Sequence, residues 1–385
     1  MNASIITLWT IFYRFFLFGC VSFGGPAAHI GYYRKQFVER DRWLDEESFA
    51  RMVALSQFLP GPGSSQVCAA IGYRKAGAVG ATASFLGFTL PSFLLMYALA
   101  RFSAELMDLP FTLTLIHGLK LLAVVVVADA VWGMAQRFCT NRLQWGLACF
   151  SAIVLLAWPS LWIQCVVLLI AAAIASRYPQ GGAQPVEGTL LRWPLILFGL
   201  LLLLALWPGA GPMRQSFADF FQTGALVFGG GHVVLPLLQE TVGEAMSADR
   251  FLTGYAAAQA MPGPVFTLAA FLGVELHPQS PLLGATVATL AIFLPGILLM
   301  LGFYHAWEAL ASRPRIGAAA AGINAAVVGL LLSALYQPVF ISAVRDGADM
   351  GLVILGLYVL RGRQWPILGL IGLMLVASVG RFYLG

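Results

Sequence analysis

Charge is what this 385-residue chain has least of: Asp, Glu, Lys and Arg together make up 10% of it, where a soluble globular domain carries about a quarter. With 59% hydrophobic residues and a mean hydropathy of +0.83, that deficit excludes a soluble globular domain. Polar stretches are also short, so no soluble domain fits between the apolar runs. Cysteine is scarce, odd in number (Cys20, Cys68, Cys139, Cys149, Cys165) and forms no C-x-x-C pair. This excludes a disulfide framework and reads as small buried hydrophobes. Zinc-ligand spacing, a phosphate-binding glycine loop, a Ser/His/Asp arrangement and haem, flavin or iron–sulfur ligand patterns are all missing. The chain is therefore expected to be neither an enzyme nor a cofactor or metal protein. The first apolar run has no basic flank and no small-residue cleavage site, so it reads as part of the mature protein. A net charge of +5 could suggest nucleic acid, but the basic residues are scattered between apolar segments, where they bias membrane orientation instead.

What is present is a succession of apolar stretches of the length that spans a bilayer as helix. There are about thirteen: 5–30, 48–72, 77–100, 111–136, 143–158, 160–176, 190–207, 215–238, 251–274, 282–306, 316–341, 347–360 and 364–384. The fold class expected is an all-α polytopic integral membrane protein, with the lipid bilayer as its solvent.

Its organising feature is a helix break that occurs twice. Gln57-Phe58-Leu59-Pro60-Gly61-Pro62 is answered by Gln259-Ala260-Met261-Pro262-Gly263-Pro264. Two prolines around a glycine remove two N–H donors and free one φ angle, so no regular helix runs through either. Other landmarks repeat in the same order: Phe15-Phe16, Gly19 and Phe23-Gly24-Gly25 recur 205 residues later, and Gly80, Pro91 and Gly118 recur 204 later. The chain reads as two copies of one unit, 1–180 and 210–385, joined by 181–209 with one apolar segment. A single crossing between copies that each cross an even number of times turns the second upside down. Basic residues favour re-entrant breaks. With the Gly-Gly and Pro-Gly-Pro segments entering and leaving on one side, fourteen loop Lys/Arg fall in the cytoplasm and five outside, against eleven and eight if all segments cross.

Irregular backbone at membrane depth is tolerated only where protein buries it or a water-filled cavity solvates it. Gly and Pro also merely kink membrane helices, so one break alone would say little; four in matched pairs point to a central polar site. Helices restarting after the breaks would aim free N–H groups and positive dipole ends at it, a setting for anions. The candidate binding residues are Ser22, Phe23, Gly24 and Gly25; Gln57, Pro60, Gly61, Pro62, Gly63 and Ser64; Phe228, Gly229 and Gly230; Gln259 and Gly263. Lys120 joins them as an intramembrane cation, with Asn324 as its counterpart in the second copy. Candidates for charge or proton coupling are Arg14, His29, His117, Asp129 and His232. Arg14 could equally snorkel to an interface, and either His29 or His232 could be structural.

At these residues the chain resembles the chromate ion transporter family. The likeness lies in Phe18-Gly19-Cys20-Val21-Ser22-Phe23-Gly24-Gly25-Pro26, in Trp43-Leu44-Asp45-Glu46-Glu47-Ser48-Phe49, and in the first Pro-Gly-Pro motif. Phe228-Gly229-Gly230-Gly231-His232 and the second Pro-Gly-Pro motif resemble that family's C-terminal half, and the length resembles its long, fused form. The resemblance implies a multi-pass protein of the bacterial inner membrane that exports chromate by the proton motive force and is sensitive to sulfate. A sulfate or related oxyanion permease is the alternative, since the two dianions share charge and shape; a passive anion channel is the alternative from another class. A homodimer is compatible with this reading. The second copy has Gly231 where Pro26 stands, so binding is expected mainly in the N-terminal half.

Overall fold

The computed structural model describes residues 5–23, 25–106, 110–179, 188–207, 209, 211–228, 234–242, 245–307, 309, 313–362, 365 and 367–384, and among these every regular element is helical. Helix α1 (Ile5–Val21) ends at Ser22-Phe23, and α2 (Gly25–Tyr33), continued by wider turns over Arg34–Arg40, comes back beside it. The ring of Phe15 stacks on Phe37 at 4.8 Å and meets Tyr33 edge-on at 5.6 Å, while Arg14 reaches Asp41 at 3.6 Å. Contacts between residues this far apart on either side of one break make an antiparallel hairpin.

The Pro-Gly-Pro break makes a second hairpin. Helix α3 (Glu46–Phe58) starts on an Asp45 cap whose carboxylate accepts the Ser48 N–H at 2.7 Å. The chain turns at Leu59–Pro62 and returns as the first arm of α4 (Gly63–Leu106), whose Lys75 sits 5.1 Å over the Trp43 ring. Both ends of this hairpin therefore lie on one side. Helix α4 then folds back at Ala76–Gly77: Gly72 and Gly80 lie in contact, and the Ser84 hydroxyl donates to Cys68 O at 3.0 Å. Helices α5 (Pro110–Phe138), α6 (Arg142–Ala157) and α7 (Leu161–Ser176) follow, and α8 (Arg192–Leu206) leads onward.

The same order then recurs: α9 (Pro212–Leu226), α10 (Val234–Val242), α11 (Ala248–Ala260), a short turn Val265–Thr267 leading into α12 (Leu268–Leu276), α13 (Pro281–Phe303), α14 (Pro314–Ala334), α15 (Gly347–Gly362) and α16 (Ile367–Leu384). Its details recur too. Ser247 caps α11 as Asp45 caps α3, and Gly273 packs on Gly284 as Gly72 does on Gly80. The apolar runs 5–30, 48–72, 215–238 and 251–274 thus each resolve into two helices rather than one, because glycine and proline interrupt them.

The two halves exchange helices. Helix α5 packs on α15 and α16 of the second half, and α14 packs on α6 and α7 of the first. A methyl group on Gly118 would strike Met374 O at 2.9 Å and crowd Ser378; one on Gly322, 204 residues later, would strike Ala171 O and the Ala175 side chain, both at 2.5 Å. The contacts are reciprocal: each half lays equivalent helices against the other.

Among the described residues, Gly63–Phe102 (the two arms of the folded-back α4), His117–Phe138, Pro281–Phe303 and Pro314–Ala343 have the length and composition that suit a membrane. Shorter apolar helices surround them, with Ile153, Trp162, Leu169 and Leu203 each about two-thirds or more exposed. An outer surface this apolar suits acyl chains and not water. The chain is a multi-pass membrane protein.

Candidate functional site: a crossing of broken helices and its basic cleft

The breaks of the two halves meet and satisfy each other. The Gly61 N–H donates to Val227 O at 2.6 Å, and the Gly263 N–H donates to Ser22 O at 2.9 Å. Val227 follows Ser22 by 205 residues and Gly263 follows Gly61 by 202, so this is one contact made twice. An unpaired amide at membrane depth is costly, and here each Pro-Gly-Pro turn finds its acceptor in the other half. The expectation that the Gly61 amide faces a ligand is thereby corrected: a carbonyl holds it.

Only glycine fits these turns. Gly61 has φ +121° and a Cβ there would lie 2.6 Å from Gly296 Cα; Gly263 has φ +96° and a Cβ there would lie 2.8 Å from Ser92 Oγ. Ser92 and Gly296 are again equivalent, 204 residues apart.

Buried polar groups gather on the first-half side of the crossing. The His29 ring bridges Ser64 Oγ and Ser22 O, each at 3.2 Å. A neutral ring that donates from Nε2 to the carbonyl and accepts the Ser64 hydroxyl at Nδ1 meets both contacts. Gln66 donates through Nε2 to Pro60 O at 2.8 Å and to Gly296 O at 3.1 Å, tying α4 to α13. Ser22 Oγ, Ser65 Oγ and Gln66 Oε1 are buried with no hydrogen-bond partner. Buried polar atoms are normally paired, so these three are the groups with capacity for a ligand.

The remaining expected residues are spread more widely. Phe23, Gln57 and Phe228 are half-buried beside the breaks, and Gln259 bonds Tyr255 within α11. Asn324 has a buried, unpartnered Oδ1 on α14. Gly24, Gly229, Gly230 and His232 lie outside the described residues. Arg14 is paired with Asp41, and Asp129 is paired across the halves with Arg361 rather than with Lys120. Lys120 is buried but does not face the crossing: its ammonium is bound by the Asp249 carboxylate.

Lys120 belongs to a separate cleft of about 400 Å³ between α5, α11, α15 and α16. There His117 Nε2 meets the buried Asp349 carboxylate at 3.0 Å, and Arg381 joins Asp349 to Asp346. The Arg381 hydrogen bond pushes the Asp346 carboxyl down to about 2. An equivalent cleft of about 570 Å³ in the other half places Ala318 and Ala321 where Thr114 and His117 stand. It holds none of these acids.

A third cleft is open along α3, the helix that ends at the first Pro-Gly-Pro break. It occupies about 510 Å³ between one face of α3 (Ser48, Arg51, Met52, Leu55), Arg74 on the returning arm of α4, and Tyr304, His305 and Trp307 after α13. Leu55 stands one turn before the Pro60 break. Arg51 is held by Glu47 at 2.8 Å and by Ser48 Oγ at 3.0 Å, and Arg74 is exposed. Among the described lining residues are two guanidinium groups, an imidazole and no carboxylate; Glu47 outside that lining pairs with Arg51, which leaves Arg74 as the cation that attracts an anion into the cleft. Arg74 and His305 were missed in the sequence because they read as ordinary loop residues.

A family model described as "Chromate transporter" matches residues 9–176 and again 214–380. The chromate transport protein of Pseudomonas aeruginosa is 28% identical over 330 residues, 83% of this chain and 78% of that protein. That of Cupriavidus metallidurans is 28% identical over 365 residues, 92% and 88% of the two chains. An uncharacterized transporter of Bacillus subtilis, YwrB, is 39% identical over 125 residues, 31% of this chain and 61% of its own. No solved structure matches the chain. The doubled family match coincides with the two sets of broken helices that cross at Gly61 and Gly263, and the chain belongs to the chromate transporter family.

Proposed function

We propose that this protein is a secondary active transporter of a tetrahedral oxyanion, with chromate as its substrate, working by alternating access between two inverted copies in the bacterial inner membrane. The observation that carries the reading is the reciprocal crossing at Gly61–Val227 and Gly263–Ser22, with a cleft that holds two arginines open along α3, the helix that ends at the Pro60 break. Inverted repeats with discontinuous helices meeting at mid-depth form the binding region of many secondary transporters. Ser22, Ser65 and Gln66 supply polar atoms there, while Arg74 supplies the potential that draws a dianion in.

The charge distribution supports one direction of transport. Arg34, Lys35, Arg40 and Arg42 lie on the same side as Arg74 and Lys75, as the Lys75–Trp43 contact requires, and a basic cluster of this kind faces the cytoplasm. The open cleft then loads from inside, which supports efflux, with the proton motive force as the driving gradient. Uptake of labelled chromate into everted membrane vesicles tests this. Accumulation above equilibrium, abolished by a protonophore and competed by sulfate, is expected. Equilibration without accumulation would mean a passive channel, and accumulation of sulfate in preference to chromate would mean a sulfate permease.

A further inference from the structure

The repeat offsets and the reciprocal contacts pair the open cleft with a place that is shut. Ser48, Arg74 and Tyr304 line the open cleft. Their counterparts, by offsets of 202, 201 and 204 residues, are Arg250, Glu275 and Ala100. These three are joined to one another: Arg250 donates to the Glu275 carboxylate and, at 3.0 Å, to Ala100 O. The guanidinium also lies 4.8 Å over the Phe271 ring. Arg250 is 5% exposed, although it occupies the first turn of α11, whereas Ser48 at the first turn of α3 borders open space. One side chain thus fastens α11 to α12 and to the end of α4, the elements whose equivalents stand apart on the other face.

We infer that the chain holds a second anion-docking site, pseudo-symmetric with the open cleft and occluded in this state, in which Arg250 is the docking cation and the Glu275 carboxylate occupies the anion's place. This rests on the transporter reading and extends it to the opposite face. A carboxylate and an oxyanion make the same charge-assisted bonds to a guanidinium, so Glu275 and the travelling anion compete for one partner. Release of Arg250 from Glu275 frees α12 and Ala100 to separate from α11, as Arg74 and Tyr304 are separated from Ser48 now. Closure of the first cleft accompanies that release, because the crossing ties both hairpins to opposite halves. The equivalent positions need no such internal anion, since Arg74 stands where Glu275 does and repels rather than binds a neighbouring guanidinium.

Impermeant maleimide labelling of single added cysteines, read against the chain's own cysteines in sealed vesicles of both orientations, tests the inference. In the otherwise native chain Ser48→Cys is expected to label and Thr253→Cys, buried behind Arg250, to resist. Glu275→Gln should raise Thr253→Cys labelling at least tenfold from the opposite side and slow that of Ser48→Cys, while Glu275→Asp should leave both near native. Chromate or sulfate should then protect Thr253→Cys, and Arg250→Gln should abolish the protection. If Glu275→Gln does not fold, a bis-maleimide staple between Ser48→Cys and Tyr304→Cys, closing the open cleft, should expose Thr253 in its place. Unchanged Thr253 labelling in both designs, or faster labelling of both positions together, would overturn the latch. Labelling that shifts without anion protection would overturn the docking role of Arg250 and fault the substrate reading while sparing the exchange of states.

Discussion

Gly61→Ala tests whether the crossing of the two halves is what holds the protein in shape. An alanine at φ +121° adopts a conformation that costs a residue with a Cβ about 1–3 kcal/mol. Its methyl carbon would stand 2.6 Å from Gly296 Cα, against about 3.5–4.0 Å for an ordinary carbon contact. Both partners are backbone, so relief requires α13 to move, and overpacking of that kind adds about 1–3 kcal/mol. If the turn shifts enough to release the Gly61–Val227 hydrogen bond, roughly another 1 kcal/mol is lost. The sum, about 2–7 kcal/mol, is a large part of the roughly 5–15 kcal/mol that holds a typical domain folded. Gly31 provides the control, since it lies in α2 at helical φ and an added methyl carbon there would have nothing within 4 Å. Gly31→Ala should leave stability unchanged or raise it by about 0.5–1 kcal/mol. The assay is the temperature at which detergent-solubilised protein loses its monodisperse peak, with chromate uptake measured in parallel. Equal behaviour of the two variants would refute the claim that the Gly61 turn is sterically locked against α13.

The Lys120–Asp249 pair is lopsided, with side chains 3% and 57% exposed. Asp249→Asn strands a buried ammonium and should cost about 3–5 kcal/mol, while Lys120→Met leaves a carboxylate that water can reach and should cost about 1 kcal/mol or less; equal losses in thermal aggregation would contradict this. The Asp346 carboxyl is held near 2 by Arg381, below its unfolded value of about 4. Its contribution is therefore complete above about 4 and disappears as pH falls towards 2, so melting followed across that range should flatten in Asp346→Asn. A cysteine at Lys35, which is exposed, should label only from the cytoplasmic side; labelling from outside would mean that the Gly-Gly segment crosses the membrane instead of returning.

Helix content, the membrane setting and the repeated order of elements were legible because they rest on local signals: apolar runs, helix-breaking Pro-Gly-Pro and equal spacings. The breaks at Ser22 and Gly61 were legible for the same reason. Their pairing partners were not, since the Gly61–Val227 bond joins residues far apart whose identities are indifferent to it; any residue supplies a carbonyl. Lys120 was read as facing the breaks because an intramembrane cation with no visible partner attracts that interpretation. Its partner Asp249 lies on α11, 129 residues away, in a loop-like acidic stretch by sequence. Arg250 and Glu275 were hidden in a similar manner. Each looked like a loop charge, and only the correspondence of Ser48 to Arg250 and of Arg74 to Glu275 gives the pair a meaning.

The exchange of helices between halves imposes an order on biosynthesis. The ion pair and hydrogen bonds that seat α15 and α16 on α5 span 232 to 264 residues of chain. Helix α5 therefore enters the bilayer with its Gly118 face uncovered, and its packing partners emerge 232 or more residues later. Long-range closure of this kind is slow and leaves the nascent protein open to mispairing. A truncation after α14 would thus damage the first half as much as the second, since α15 and α16 are the fastener for α5.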